Sequence, residues 1–360
     1  MGTLNSELLR KLTSPEPRLP WVTKWLLDEV WSPEQYAVAE PEDYLVAGEQ
    51  TVHAFEELLT SSAAQFYDEL ASAAAQAPGL LERASRSAIP LSRHSREATA
   101  DGRPSQAGMP DLPGRPDGQE CPPYAVVVFD GASLREIPLF RSKAGESGFR
   151  VAESSVAMAA LPSTTTAFVA ARLLGKEVAP KTLPQRKELK EKDVRAYYMD
   201  DAISTLQVNP VNGETILIWS AFPDSTYQDS DARFVRHFAD MQKLYDAAWR
   251  NTVMQIPRGR RIVITSDHGY IFFGAGFDST RPNEVCAWLD QDRFKVFNAD
   301  ERMPNGADEP GLQVFDERRL AMLRGRIKNR PQGPAANKVY RHGGLSLMEM
   351  LTPWIVLEKA

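Results

Sequence analysis

The sequence contains only two cysteines, Cys121 and Cys286, and no apolar run as long as a membrane span. Two cysteines give neither a disulfide framework nor a metal-binding spacing, so a reducing cytoplasm is the expected compartment. The first residues, MGTLNSELLRKL, lack the long apolar core of a secretory signal, which agrees with that expectation. We therefore expect no contact with a membrane.

An excess of positive charge is also missing. The 360 residues carry 42 Lys and Arg against 48 Asp and Glu, which gives a formal net charge of -6. This balance argues against non-specific nucleic-acid binding by the whole surface, although it leaves room for a local basic site. The hydrophobic fraction of 42% and the charged fraction of 25% are typical of a globular chain.

Composition divides the chain into three regions. Residues 1–100 are predicted to be helical, because apolar side chains recur there with helical spacing, most clearly over residues 49–77. From about Ala88 to Pro123, seven prolines and four glycines leave almost nothing to build a core. We therefore predict a helical region at 1–100, a Pro/Gly-rich linker at 101–123 and a second domain at 124–360.

In the second domain, short apolar runs alternate with helical patterns. The predicted strands are YAVVVF at 124–129, a short strand within 145–154, VRAYYM at 194–199, TILIW at 215–219 and IVIT at 262–265. Helices are predicted at 165–174 and 234–253, and another is predicted to start at Leu345. This alternation predicts a mostly parallel sheet between layers of helices.

Polar side chains follow two of these strands at the point where each strand ends. Asp130 follows VVVF, and Asp267 and His268 follow IVIT. In an open α/β sheet, ligands bind beyond the carboxyl ends of the strands. A carboxylate and an imidazole side by side are good ligands for Zn²⁺ or Mn²⁺. The sequence therefore predicts a metal site at this edge of the sheet.

The run Ser-Thr-Thr-Thr at 163–166 opens a predicted helix. Alone, such a run indicates no more than a helix N-cap. Beside a metal site the run also indicates a candidate nucleophile, because a helix N-terminus favours phosphate and a metal-held hydroxyl is an activated nucleophile.

Near the C-terminus, the last histidine, His342, precedes two glycines and the cap-like Ser346. This setting favours a role for His342 in the site over a purely structural one.

Four stretches, in this order, resemble the PglZ domain of bacterial phage-defence systems, a branch of the alkaline phosphatase superfamily. They are VVVFDGAS, ALPSTTTAFVAARLLG, IVITSDHGY and RHGGLSLMEMLTPWIVLE. The resemblance covers residues 124–360, and its most specific part is His-Gly-Gly-x-Ser-x-x-Glu followed by Pro. It implies an alkaline-phosphatase-like α/β/α sandwich with a mostly parallel central sheet, preceded here by the N-terminal helical region.

The resemblance also implies roles for particular residues. Asp130, Asp267 and His268 would hold one metal ion together with the nucleophile hydroxyl. In the superfamily the nucleophile lies ten residues before a glycine that ends the following helix, and counting back from Gly175 gives Thr165. Thr164 and Thr166 stay open as alternatives, because only spacing separates the three threonines.

A second ion would be held by His342 and Asp224. The superfamily normally adds a histidine four residues after that aspartate, and this chain has Gln228 there. The second site is therefore expected to bind weakly, to be lost, or to use another carboxylate, and the candidates are Asp200, Asp201 and Asp229.

The implied activity is metal-dependent hydrolysis of phosphate esters or phosphodiesters, with nucleotides and oligonucleotides among the substrates. The implied cofactor is one or two divalent ions, Zn²⁺ first and Mn²⁺ or Mg²⁺ as alternatives. The implied setting is a bacterial phage-defence system, such as the BREX type, or a signalling system, with other defence proteins as partners. The alternative is a non-catalytic or weakly catalytic metal-binding subunit of such a complex.

A basic segment precedes His342. It carries eight Lys and Arg residues and no acid from Arg318 to Arg341. Most such segments are solvated charge runs. Because this one runs into a predicted site residue, we expect Arg324, Arg326 and Arg330 to bind phosphates of a polyanionic substrate.

Overall fold

The computed structural model describes residues 10–12, 16–88, 123–210, 213–229, 234–273, 279–280, 288–289, 293–306, 311–328 and 340–359. The predicted linker lies outside these residues except for Pro123, and so do Arg330 and both cysteines. The predicted domain boundaries stay a prediction. In the described part of the chain, no helix is long and apolar enough to cross a membrane.

The N-terminal region is helical in the residues that the structure describes, as predicted. Its helices there include α1 Leu19–Trp25, which a π-helical turn at Leu26–Val30 continues, α2 Pro33–Val38, α3 Pro41–Ser62, α4 Phe66–Gln76 and α5 Leu80–Ala88. Proline stands in the first turn of α1, α2 and α3, where its missing N–H costs no hydrogen bond. Helix α3 buries Leu45, Val52, Phe55 and Leu59, whose spacing of seven, three and four places them on one face.

Further α-helices follow in the described residues of the rest of the chain. They are α6 Ile137–Glu146, α7 Thr165–Val169 with a π-helical continuation at Ala170–Leu174, α8 Lys187–Lys190, α9 Asp224–Asp229, α10 Phe234–Asn251 and α11 Leu347–Met350. The strands are β1 Tyr124–Phe129, β2 Phe149–Met158, β3 Val194–Met199, β4 Thr215–Ser220, β5 Arg261–Thr265, β6 Ile271–Phe272, β7 Ser279–Thr280, β8 Phe294–Val296, β9 Leu312–Phe315, β10 Leu320–Leu323, β11 Ile327–Lys328, β12 Tyr340–Arg341 and β13 Leu351–Lys359.

The central sheet has six strands in the order β2-β13-β5-β1-β4-β3. All run parallel except β13, which is antiparallel to both β2 and β5. The last strand was not predicted, because a helix was expected to start at Leu345. The observed α11 lasts only one turn, and Pro353 followed by the apolar run Trp354 to Leu357 then favours an extended chain.

Helices cover both faces of the sheet, which confirms the predicted fold class. Strand β1 is buried on both sides and alternates between two cores. Val127 and Phe129 pack in the core that contains side chains of α3, α6 and α10, whereas Val126 and Val128 pack in the core that contains side chains of α5 and α7. The first core therefore joins N-terminal helices to one face of the sheet.

Two glutamates of α3 contact residues that follow β1 in the chain. Glu49 and Glu56 are seven residues apart, so they lie on one face of the helix, and both are buried. Glu49 forms ion pairs with Arg135 Nη1 at 2.9 Å and with Arg326 Nη2 at 2.6 Å. Glu56 Oε1 accepts a hydrogen bond from the backbone N–H of Leu347 at 2.6 Å. Helix α3 thus contacts segments that follow β1 and His342.

Burial raises the pKa of Glu56 to about 7, with Arg326 opposing the shift and Glu349 adding to it. The unfolded chain loses this proton near pH 4.5. Stability should therefore fall as pH rises from about 4.5 to 7, and the loss should be complete above pH 7. The size is about 3 kcal/mol at most.

Glu56→Gln should remove that pH dependence because an amide does not ionise, and its oxygen can still accept the hydrogen bond from the backbone N–H of Leu347. The measurement is the urea midpoint between pH 5 and pH 8, with Glu57→Gln as control. Glu57 is the next residue of α3, and its side chain is 56% exposed. Equal slopes in the Glu56→Gln variant and the unchanged protein would contradict the expectation.

Candidate functional site

Two neighbouring strands deliver the predicted metal ligands to one edge of the sheet. Strands β1 and β5 are parallel and paired, with Val128 opposite Thr265. Asp130 and Asp267 each lie two residues beyond that pair, so both side chains stand at the carboxyl edge. Gly131 makes the turn after β1 with a φ of +79°, and a Cβ there would lie 3.0 Å from Cβ of Asp224.

Asp130, Asp267 and His268 form the first group of metal-ligating side chains. One ligand atom from each lies within 4.8 Å of the others. His268 Nε2 is 3.5 Å from Asp130 Oδ1 and 3.5 Å from Asp267 Oδ2. The other carboxylate oxygens have donors, since Trp219 Nε1 donates to Asp130 Oδ2 at 3.0 Å and the Gly131 N–H donates to Asp267 Oδ1 at 3.1 Å.

Backbone contacts prepare His268 as a ligand. Its Nδ1 lies 2.9 Å from the carbonyl oxygen of Gly269, which can only accept, so Nδ1 carries the proton. The lone pair is therefore on Nε2, the atom that faces the two aspartates. Gly269 fits because a Cβ there would lie 2.1 Å from the carbonyl oxygen of Met348.

The donor set fits a divalent cation. Asp267 Oδ2 is buried and has no hydrogen-bond partner within the described chain, although a buried carboxylate oxygen normally has one. Burial first, and then the carboxylates of Asp267 and Asp224, raise the pKa of Asp130 well above its ordinary value. A cation among these oxygens would satisfy the unpartnered atom and offset the repulsion.

Thr165 brings a hydroxyl to the first group. Its Oγ1 lies 3.2 Å from His268 Nε2 and 3.3 Å from Asp130 Oδ1. Thr165 is the first residue of α7, with Thr164 as N-cap, and Thr166 is exposed. The helix ends at Gly175, whose φ of +73° is the left-handed conformation expected of a helix-ending glycine. Of the three threonines, only Thr165 has a described hydrogen bond to this group.

Asp224, His342 and His268 form a second group, again with ligand atoms within 4.8 Å of one another. His342 Nε2 is 3.7 Å from Asp224 Oδ1, and its ring stacks on His268 with centroids 4.1 Å apart. Its Nδ1 lies 3.2 Å from the carbonyl oxygen of Ser163. Burial and the neighbouring His268 lower the pKa of His342, which keeps its ring neutral at pH 7 and able to ligate.

The other predicted carboxylates make different contacts. Asp201 Oδ1 accepts from the backbone N–H groups of Ile203 and Ser204, and Asp200 is exposed. Neither belongs to the described metal-ligating groups. The side chains of Gln228 and Asp229 lie outside the described residues.

The contacts described for Arg324 and Arg326 are with residues outside the two metal-ligating groups. Arg326 is 2% exposed and is paired with Glu49, and it also donates to the carbonyl oxygen of Phe272 at 2.7 Å. Arg324 donates through Nε and Nη2 to Gln313 Oε1 at 3.0 and 2.8 Å. Phosphate binding by Arg324, Arg326 and Arg330 stays a prediction, and a buried guanidinium paired with a carboxylate offers little to a soluble substrate.

Sequence reasoning missed two side chains that support the site. Trp219, in β4, donates to Asp130, and nothing in a buried strand residue signals that contact. Ser163 connects α7 to the segment of His342, because its Oγ donates to the carbonyl oxygen of Gly344 and accepts from the Gly343 N–H. Its place directly before the three threonines was the available signal.

Comparison with known proteins gives a likeness only among solved structures. No protein-family model matches the sequence, and no curated protein matches it. Phosphonoacetate hydrolase from Sinorhizobium meliloti, in complex with phosphonoacetate, is 14% identical with a TM-score of 0.37, over 65% of this chain and 89% of that one. Murine ectonucleotide pyrophosphatase / phosphodiesterase 5 is 12% identical with a TM-score of 0.37, over 65% and 87%. These identities and TM-scores are too low to support an inference about function. Any such inference rests on the side chains of the site.

Proposed function

We propose that this chain is a metal-dependent hydrolase of phosphate esters or phosphodiesters with Thr165 as its nucleophile. The observation that carries the proposal is the contact of the Thr165 hydroxyl with His268 and Asp130, beside the unpartnered oxygen of Asp267. A half-buried hydroxyl beside two carboxylates and an imidazole is the donor set for a divalent ion and an activated alcohol.

One ion would be held by Asp130, Asp267, His268 and the Thr165 hydroxyl, and a second by Asp224 and His342. Zn²⁺ is our first choice because imidazole and carboxylate ligands together suit it, with Mn²⁺ and Mg²⁺ as alternatives. When bound, such an ion supplies positive charge that lowers the pKa of the hydroxyl and offsets negative charge on the phosphoryl oxygens.

The residues of the chain provide the other parts of the reaction. Thr165 Oγ1 attacks phosphorus, the bond to the leaving oxygen breaks, and a phosphothreonine forms. The hydroxyl proton has two acceptors within reach, Asp130 Oδ1 and His268 Nε2, and it passes on to the leaving oxygen. Water then attacks the phosphorus of the phosphothreonine, the bond between phosphorus and Thr165 Oγ1 breaks, and Oγ1 takes up a proton from the water. The product released is phosphate from a monoester or a phosphate monoester from a diester. Helix α7 begins at Thr165, so the backbone N–H groups of its first turn would favour the negative charge that develops on a phosphoryl group attacked by Oγ1.

Membership in the alkaline phosphatase superfamily, and a PglZ-type role in phage defence or signalling, are part of the same proposal. They are supported by the four sequence stretches and by the placement of Asp130, Thr165, Asp267 and His268 in one group. Nucleotides and oligonucleotides are the proposed substrates, and other defence proteins are the proposed partners.

The direct test is hydrolysis by purified protein. Metal should be removed with a chelator and restored as Zn²⁺, Mn²⁺ or Mg²⁺, and p-nitrophenyl phosphate and bis-p-nitrophenyl phosphate supplied as a model monoester and diester. We expect release of nitrophenol that depends on added metal and is lost again with chelator. Release that is insensitive to chelator would contradict the proposal.

Asp267→Asn should abolish tight binding of the first ion. The amide removes one negative charge and leaves only one oxygen to ligate, so affinity should fall by at least one hundred-fold, or about 2.7 kcal/mol. Isothermal titration with Mn²⁺ measures this loss without a substrate. Asp200→Asn is the matched control, because Asp200 is exposed and lies outside both groups. Wild-type affinity in the Asp267→Asn protein would exclude Asp267 as a ligand.

A second candidate is a metal-binding subunit without catalysis. The observation in its favour is that the two groups share His268, so Asp224 and His342 are the only donors that the second group does not share. Tight metal binding combined with no hydrolysis of any phosphate ester would favour this candidate over the hydrolase.

A further inference from the structure

The segments that carry Asp224 and His342 contact each other at two points. Asp224 and Tyr227 are three residues apart on α9, so their side chains lie on one side of that helix. Tyr340 lies in β12, two residues before His342. The rings of Tyr227 and Tyr340 stack with centroids 4.3 Å apart and planes 18° apart, and Asp224 Oδ1 lies 3.7 Å from His342 Nε2. The two segments therefore contact each other once through a pair of aromatic rings and once through a pair of metal-ligating side chains.

Other contacts hold both rings of this stack in place. Tyr227 is 5% exposed, and its hydroxyl donates to the hydroxyl of Tyr270 at 2.7 Å. The Tyr270 hydroxyl in turn donates to Glu136 Oε1 at 2.9 Å, and Glu136 is fully buried. Tyr340 packs edge-on against Tyr270 with centroids 5.4 Å apart, and its backbone pairs with Phe272 of β6. Neither ring can shift without breaking other packing.

We infer that the stack of Tyr227 on Tyr340 positions His342 against Asp224 for a second divalent ion, an inference that rests on the proposed function. Asp224 is held at its backbone, where its N–H donates to the carbonyl oxygen of Asp130 at 2.9 Å. His342 follows a strand of only two residues and precedes Gly343, whose φ is +106°. The stack supplies a second contact between the segments of α9 and β12. Tyr227 and Tyr340 are positioning residues and do not ligate.

The test is a metal titration of the whole protein after chelator treatment. Isothermal titration with Mn²⁺ should show two ions bound by the unchanged protein, the tighter at Asp130, Asp267 and His268. Tyr340→Ala should weaken the second ion at least ten-fold and leave the first within three-fold. Tyr340→Phe keeps the stacked ring and should restore the second ion to within three-fold of the unchanged protein. Tyr340→Leu retains apolar volume and should behave like Tyr340→Ala if the alanine variant is unstable.

Tyr36→Ala is the matched control, because Tyr36 makes a ring contact with Tyr44 at 5.3 Å in the N-terminal region. It should change neither ion. Equal weakening of the second ion by Tyr36→Ala, an unchanged second ion in folded Tyr340→Ala, or the same loss in Tyr340→Phe would overturn the inference. A single tight ion in the unchanged protein would overturn it and leave the hydrolase proposal standing, whereas no bound ion would overturn both.

Discussion

Thr165→Ala should lower kcat for phosphate-ester hydrolysis by at least a thousand-fold while the protein still binds metal. Removing the attacking oxygen from a covalent mechanism leaves only the contributions of binding and electrostatics. Thr165 contacts His268 and Asp130 through that oxygen, so the methyl group of alanine cannot replace it. The measurement is steady-state hydrolysis of a nitrophenyl ester with Mn²⁺ or Zn²⁺ supplied.

Thr166→Ala is the matched control for this change. Thr166 is the next residue of α7 and is exposed, and so its hydroxyl is expected to contribute less than a three-fold effect. Incubation with substrate followed by acid quench should trap phosphate on the unchanged protein and on Thr166→Ala but not on Thr165→Ala. Full activity of Thr165→Ala would move the nucleophile to Thr164 or Thr166, or remove the covalent step.

Glu49→Ala should destabilise the protein by about 3–5 kcal/mol, because it leaves the guanidinium groups of Arg135 and Arg326 buried without their shared carboxylate. Breaking a buried ion pair costs far more than the pair contributes when intact. Arg135 also donates to the carbonyl oxygen of Tyr270, two residues after His268, so activity should fall together with stability. Urea denaturation followed by circular dichroism measures the change.

Glu57→Ala is the control on the same helix. Its side chain is 56% exposed and lies 3.5 Å from His53 Nε2, and an exposed pair of this kind contributes about 0–1 kcal/mol. Similar stability losses in the Glu49→Ala and Glu57→Ala variants would show that the buried ion pairs do not hold α3 against the segments of Arg135 and Arg326.

The placement of Asp130 and Asp267 at one edge of the sheet could be predicted because each signal is local. A buried strand that stops on an acid fixes where Asp130 and Asp267 point, and β1 and β5 turned out to be neighbours. Thr165 was selected by its distance from Gly175, and the helix does end there. These features depend on residues within about ten positions of one another, which a single sequence contains.

The arginine prediction shows what a single sequence does not contain. Arg326 lies in a segment without acids, so it was expected to face a substrate. Its carboxylate partner is Glu49, which is 277 residues away in the chain. Only the fold reveals that pairing, and the same is true of Trp219, whose hydrogen bond to Asp130 depends on the register of β4 against β1.

The core shared by α3 and β1 predicts how the protein would behave if its chain were cut between them. Val52 and Phe55 of α3 pack in the same core as Val127 and Phe129 of β1, although the residues between Ala88 and Pro123 separate them in sequence. A chain cut between those two positions would yield two pieces that each expose apolar surface and unpaired buried charges. The pieces should therefore associate as two subunits, and mixing the separated pieces should restore the shared core.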